Sequence, residues 1–394
     1  MMIDAVVIGK GLIGTAVTRY LSQAGLVTAV IGPDEPPSIQ NHKGVFASHY
    51  DQGRITRQLS KDQIWSTLAS QAIAQYDYLQ TQSGIQFYKP VSGLYVSQPN
   101  KDGDYLTTME AIANRANIHY QNLTAPNFQI RFPFFQFPES FQIIHEPAPA
   151  GYINPRDLIR AQLTIAEQQG STIFRQTVHD IQKNADFFTI TTNQTRHIQA
   201  KNIVICAGAF TNCHNLLPKK LDLKVKTETI ILAEISKEEA RRLENMPTVI
   251  YQIDSAEIND IYLLPPIQYP DGRIYLKMGC NTFADSYLSD LAEMQAWMIA
   301  GNSNIIKEVM KQALLDMLPG LTAVSFQTKR CLVTYTPHGK PFVDQLDEGV
   351  FVATGGNGSS AKSSDAIGKL AADLLIYDGW RSELDKDSFR AVFV

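Results

Sequence analysis

Ile3-Asp4-Ala5-Val6-Val7-Ile8-Gly9-Lys10-Gly11-Leu12-Ile13-Gly14 is the stretch that decides the fold. Its apolar half, Ile3 to Ile8, reads as a strand, and it runs directly into three glycines spaced as in a dinucleotide-binding turn. Gly9 permits the tight bend, Gly11 lets the backbone approach a pyrophosphate, and Gly14 lets helix pack on strand. The free N–H groups at Leu12 and Ile13, together with the helix dipole, then face the phosphates.

The flanks agree with this reading. Leu12, Ala16, Val17, Tyr20, Leu21 and Ala24 form an apolar stripe at helical spacing, Gly25 ends the helix, and Leu26 to Ile31 reads as a second strand. One part of the pattern is missing: an acid that holds a ribose hydroxyl should close the second strand, but Gly32 follows Ile31. Asp34 or Glu35 reaching back from the loop is the candidate replacement.

At 394 residues the chain suggests two domains, and 44% hydrophobic content is that of a globular protein. A net charge of -4 offers no basic footprint for nucleic acid. No apolar run approaches the roughly 20 residues that span a bilayer. The sequence enters its first strand with no basic leader or cleavage site, so a soluble cytoplasmic protein is expected. Cys206, Cys213, Cys280 and Cys331 lack zinc-site spacing and are too few for a disulfide scaffold. The eight histidines form no ligand cluster, and no metal is expected.

Further along, helix signals recur over 61–83 and 155–169, with a proline- and phenylalanine-rich stretch, 131–149, that suits irregular connections and strand edges. Strands are expected near Thr172, over 187–192 and over 202–206, the last ending in Ala207-Gly208-Ala209. A segment from 216 to 328 holds strands over 226–233 and 273–278 and helices within 290–318. A strand over 350–354, a glycine turn and a helix over 361–376 close the chain. Nucleotide-type units at the start, middle and end imply an α/β nucleotide domain that is discontinuous, interrupted twice by segments of a second domain.

The last turn, Gly355-Gly356-Asn357-Gly358-Ser359-Ser360-Ala361-Lys362-Ser363, nearly matches a phosphate-binding P-loop but has Ala361 where that motif needs glycine. It also lies at the end of the chain, with no strands after it. The better reading is a strand-turn-helix whose helix N-terminus addresses a negative or electron-rich group, with Lys362 adding a full charge.

Together these runs resemble the flavin-dependent amine oxidases of the D-amino-acid oxidase superfamily, and within it the monomeric sarcosine oxidase and N-methyltryptophan oxidase branch. The resemblance implies a Rossmann-like FAD-binding domain from 1–85, 151–215 and 326–394, and a mainly antiparallel-sheet substrate domain from 86–150 and 216–325. In Asp51-Gln52-Gly53-Arg54-Ile55-Thr56-Arg57 it puts Arg54 over the flavin and Arg57 on the substrate carboxylate, a role suited to the guanidinium fork. In Lys329-Arg330-Cys331-Leu332-Val333-Thr334-Tyr335 it implies a thioether from Cys331 to the flavin, with Lys329 and Arg330 flanking the thiol. The run departs from the family pattern at Val333 and at His338.

The same resemblance makes Lys277, in Ile274-Tyr275-Leu276-Lys277-Met278-Gly279, the cation that activates O2. Asn281 stands where sarcosine-type enzymes carry a histidine, and Tyr262 matches a tyrosine of the substrate pocket. Gly355, Gly356, Asn357 and Gly358 fall under the flavin pyrimidine, Val178 and Gly208 against the cofactor, and Lys362 joins Arg57 at the carboxylate. The expected activity is oxidation of a secondary, N-methyl or cyclic amine carrying a carboxylate, giving an imine and peroxide from O2. The expected protein is a monomer with FAD attached at Cys331. A D-amino-acid oxidase or dehydrogenase acting on primary amines, and a flavin-bound interaction protein without turnover, are the alternatives.

Overall fold

The computed structural model describes residues 2–99, 105–194 and 197–394. Strand Ile3–Ile8 lies between Thr28–Ile31 and His197–Ile205, parallel to both. Thr172–Phe174 and Val350–Thr354 extend the parallel array on its two sides. Antiparallel strands Phe188–Thr192, Val178–Lys183 and Phe342–Asp347 complete a sheet of eight.

Parallel strands are apolar on both faces because both are covered. Ala5, Val7, Val30, Val204 and Phe351 pack under the helices Leu12–Gln23, Pro155–Gln168 and Ser360–Ile376. Val6, Ile8, Ala29 and Ile31 pack on the other face against Val178, Phe188, Leu216 and Leu221. The dinucleotide-type unit is therefore present as expected, joined by the middle and terminal units.

A second sheet, of nine strands, is mostly antiparallel. Its long strands are Lys224–Ile235, Ile258–Gln268, Ile274–Thr282 and Ala323–Tyr335. The expected boundary at 326 falls inside the last of these. Ala323–Tyr335 pairs along its whole length with Lys224–Ile235, so residues 326–335 belong to the second sheet. The helix expected over 61–83 is two helices, Gln63–Ile73 and Tyr76–Ser83. Within 131–149, Gln142–Glu146 forms a strand paired on both sides. Among the described residues, no helix is long and apolar enough to cross a membrane.

Candidate active site

A cavity of about 1010 Å³ opens at the carboxyl ends of the parallel strands. Gly9, Gly32, Ala207 and Gly355, each just beyond a strand end, line one side. This is where open α/β sheets bind ligands. The inner face of the second sheet forms the other side, including Glu228, Tyr262, Asn281 and Cys331.

The first turn is built for a phosphate group. Gly9 has φ +109°, and a side chain there would meet the carbonyl oxygen of Cys206 at 2.2 Å. A Cβ on Gly14 would lie 1.9 Å from the oxygen of Gly9, whereas one on Gly11 would meet no atom within 4 Å. Two glycines thus serve packing, and the third leaves the start of helix Leu12–Gln23 bare, with no side chain capping it. Leu12 and Ile13 line the cavity there. Val178, Gly208 and the turn Gly355 to Gly358 line it as well. These features fit a dinucleotide. Asp34 lines the same end but is engaged by Lys10 and lies 3.4 Å from Arg175, while Glu35 pairs with Arg156 at 2.6 Å.

Cross-strand register assembles the opposite wall, since directly paired residues share a sheet face. Glu228 pairs with Cys331, Tyr262 with Gly279, Asp260 with Asn281, and Leu264 with Lys277. Gly279 matters because a Cβ there would sit 2.2 Å from the Tyr262 ring. Its absence lets that ring lie across the strand, where the hydroxyl donates to Glu228 Oε1 at 2.9 Å and accepts from Arg54 Nη1 at 3.2 Å. Arg54 Nη2 also reaches Asp51 Oδ2 at 3.0 Å and the Cys331 sulfur at 3.8 Å.

Lys277 does not line the cavity. Its side chain is fully buried, and Nζ donates to Asp51 Oδ2 at 2.7 Å and to Gly53 O at 2.8 Å. Burial and the nearby Arg54 lower its pKa, with Asp51 opposing. Burial alone would raise the Asp51 carboxyl, but Arg54 and Lys277 outweigh it and hold that group below the usual range. Lys277 thus sits behind the cavity wall, joined to Arg54 through Asp51 and 5.3 Å from the centroid of the Tyr262 ring.

Arg57 and Lys362 both line the cavity, and among the described residues neither forms an ion pair. Arg57 donates to Leu59 O and lies 5.3 Å from the Tyr95 ring. Lys362 Nζ donates to Trp65 O at 3.3 Å and lies 5.8 Å from the centroid of the Trp65 ring. Burial and then Arg57 push the Lys362 pKa well below its ordinary value. Glu146 braces the loop that carries Arg57, accepting from the backbone of Gln58 at 2.8 Å and Leu59 at 3.2 Å.

Four cavity residues, Glu228, Asp260, Tyr105 and His49, were not singled out in the sequence. Lys226 and Glu228, two apart inside the apolar strand Lys224–Ile235, were the available signal. Asn281 is held rigidly, its oxygen accepting from Lys226 and its amide donating to Asp260 Oδ1 at 2.6 Å. The cavity accordingly carries basic side chains at Arg57 and Lys362 and carboxyl side chains at Glu228 and Asp260.

The model of the FAD dependent oxidoreductase (DAO) family matches residues 4–374. The chain belongs to that family. Monomeric sarcosine oxidase from Bacillus sp. (strain NS-129) is 24% identical over 383 residues, covering 94% of this chain and 92% of that one. N-methyl-L-tryptophan oxidase from Yersinia pestis (strain Pestoides F) is 23% identical over 381 residues, covering 94% of each. In fold the FAD-dependent oxidoreductase is similar to NikD, an unusual amino acid oxidase essential for nikkomycin biosynthesis, with a TM-score of 0.79, 18% identity, and coverage of 100% and 98%. L-proline dehydrogenase from P. horikoshii aligns with a TM-score of 0.75 at 15% identity, covering 99% and 96%.

Proposed function

We propose that this FAD-dependent amine oxidoreductase oxidises a secondary, N-methyl or cyclic amine bearing a carboxylate, giving an imine and, from O2, hydrogen peroxide. The observation that carries the reading is the pair Arg57 and Lys362, two cations without ion-pair partners among the described residues, on the wall of one cavity. A guanidinium fork beside a point charge suits one carboxylate. The named relatives, oxidases of sarcosine and of N-methyl-L-tryptophan, support an N-alkyl amino acid.

When bound, FAD supplies the two-electron acceptor, and the protein supplies position and charge. The turn from Gly9 to Gly14 and the N-terminus of Leu12–Gln23 would hold its phosphates, the turn Gly355 to Gly358 its ring, and Cys331 a covalent link. Arg57 and Lys362 fix the substrate carboxylate, so that the carbon next to nitrogen is presented toward Arg54 and Cys331. Arg57→Ala should raise KM for carboxylated amines about tenfold or more, the cost of losing a charged hydrogen bond. An unchanged KM would remove the carboxylate from the reading.

One observation favours a second acceptor. Lys277 does not line the cavity, which weakens the case for O2 activation by direct contact. Peroxide formed in a one-to-one ratio with oxidised amine supports the oxidase; substrate oxidation without peroxide supports a dehydrogenase. A monomer is proposed on the likeness to the monomeric sarcosine oxidases.

A further inference from the structure

We propose that Asp51 is a positioning residue for the cofactor, whose buried carboxylate offsets the charges of Lys277 and Arg54 and so lowers the reduction potential of bound FAD. This rests on the reading that puts the flavin at Arg54 and Cys331, and it assigns a task to the layer behind them.

Family resemblance gives Arg54, Arg57 and Lys277 roles and gives Asp51 none. Yet Asp51 joins two of those three, since Oδ2 accepts from Lys277 Nζ at 2.7 Å and lies 3.0 Å from Arg54 Nη2. Asp51 is 1% exposed and does not line the cavity. Arg54 does line it, 3.8 Å from the Cys331 sulfur, and so carries the influence of Asp51 to the cavity wall. Glu228 meets Arg54 through the Tyr262 hydroxyl, which leaves Asp51 as the carboxylate in direct contact with both cations.

The other neighbour of Asp51 is His49, whose Nδ1 lies 3.6 Å from Oδ1, and neither atom has a hydrogen-bond partner among the described residues. Burial and Arg54 lower the His49 pKa to about 3, so the ring adds no charge at neutral pH. One carboxylate thus serves two cations. Reduction of a flavin by two electrons and one proton adds one negative charge, which a nearby cation favours and a nearby carboxylate opposes. By offsetting the cations, Asp51 makes reduced FAD the readier electron donor.

The test equilibrates FAD-loaded protein anaerobically with a redox dye of known potential at pH 7 and reads the ratio of oxidised to reduced flavin. Asp51→Asn keeps an oxygen for Lys277 and Arg54 but loses the charge, and it should shift the equilibrium about tenfold toward reduced FAD, or about 30 mV. Asp51 also opposes the burial and the Arg54 charge that lower the Lys277 pKa, so Asp51→Asn is read in the Lys277→Met background as well, where no lysine can lose its proton in response. Lys277→Met alone should shift the ratio toward oxidised FAD, and the added Asp51→Asn should bring it back. A merely structural role would change melting or FAD content and leave the ratio of the loaded protein where it was. A ratio that Asp51→Asn leaves unmoved in both backgrounds, or moves toward oxidised FAD, overturns the proposal. If Asp51→Asn does not load with FAD, an unmoved ratio in Lys277→Met overturns it instead. Arg54→Met should shift the ratio toward oxidised FAD; if it leaves the ratio unmoved, the flavin does not lie at this wall, and that reading fails and takes this inference with it, a result distinct from the others.

Discussion

Cys331 shows how little a side chain's sequence neighbours say about its chemistry. Lys329 and Arg330 flank it, but Lys329 sits over the Tyr269 ring at 5.6 Å and Arg330 donates to Gly301 O at 2.6 Å. The cation at the sulfur is Arg54, contributed from 277 residues away. Burial pushes the thiol up to about 11, with Arg54 opposing. The thiol is therefore protonated at neutral pH, and its reactive thiolate increases about tenfold per pH unit below that value. Covalent uptake of FAD by flavin-free protein should accordingly quicken between about pH 7 and about pH 9. Arg54→Met should slow uptake throughout that range. After acid precipitation the wild-type pellet should stay yellow and that of Cys331→Ser should be colourless; a yellow Cys331→Ser pellet places the link elsewhere.

The helices Leu12–Gln23 and Ser360–Ile376 both present their N-termini to the cavity, and they touch closely because residue 368 is glycine. A Cβ there would lie 2.5 Å from that of Ala16. Their relative position is held by a buried cluster in which Arg19 meets Asp365 at 2.8 Å. Gln162 and Tyr20 donate to the same carboxylate at 2.7 Å each. Gln162 brings in the helix Pro155–Gln168, so one carboxylate ties three helices. Asp365→Ala leaves the Arg19 charge buried and unpaired, at a cost of about 3–5 kcal/mol. The urea midpoint should fall accordingly, with a smaller loss for Asp365→Asn, and FAD retention should weaken alongside. A loss under about 1 kcal/mol for Asp365→Ala would show that the cluster is dispensable.

Across the whole molecule, acid should act on the second sheet through His145. The ring is fully buried beside Phe132, and neither nitrogen has a hydrogen-bond partner among the described residues. Burial lowers its pKa from 6.5 to about 4. Between those values the unfolded chain binds a proton that the folded one refuses. Stability from this group is therefore complete above about pH 6.5 and declines as pH falls toward about 4, by up to about 1.4 kcal/mol per pH unit. His145→Phe should lose less stability than wild type between about pH 7 and about pH 5 in urea melts. Equal losses would refute this account. The next residue, Glu146, braces the loop of Arg57, so acid loosening of this strand is expected to reach the substrate end as well.

What the sequence by itself determined was local. Gly9, Gly11 and Gly14, the helix after them, and the terminal turn with Lys362 were legible because a turn and the helix it starts are set by residues within a few positions of one another. Family resemblance, and no local pattern, is what links Arg57 with Lys362, whose side chains line the same cavity. Tertiary structure decided what the cavity wall is made of: Lys277 set back against Asp51, Arg54 at the Cys331 sulfur, and Glu228 and Asp260 on the same cavity as Arg57 and Lys362. Period-two alternation can suggest which residues share a face, but only the register between strands far apart in sequence sets which of them meet. The charge pattern of this site is a property of that register.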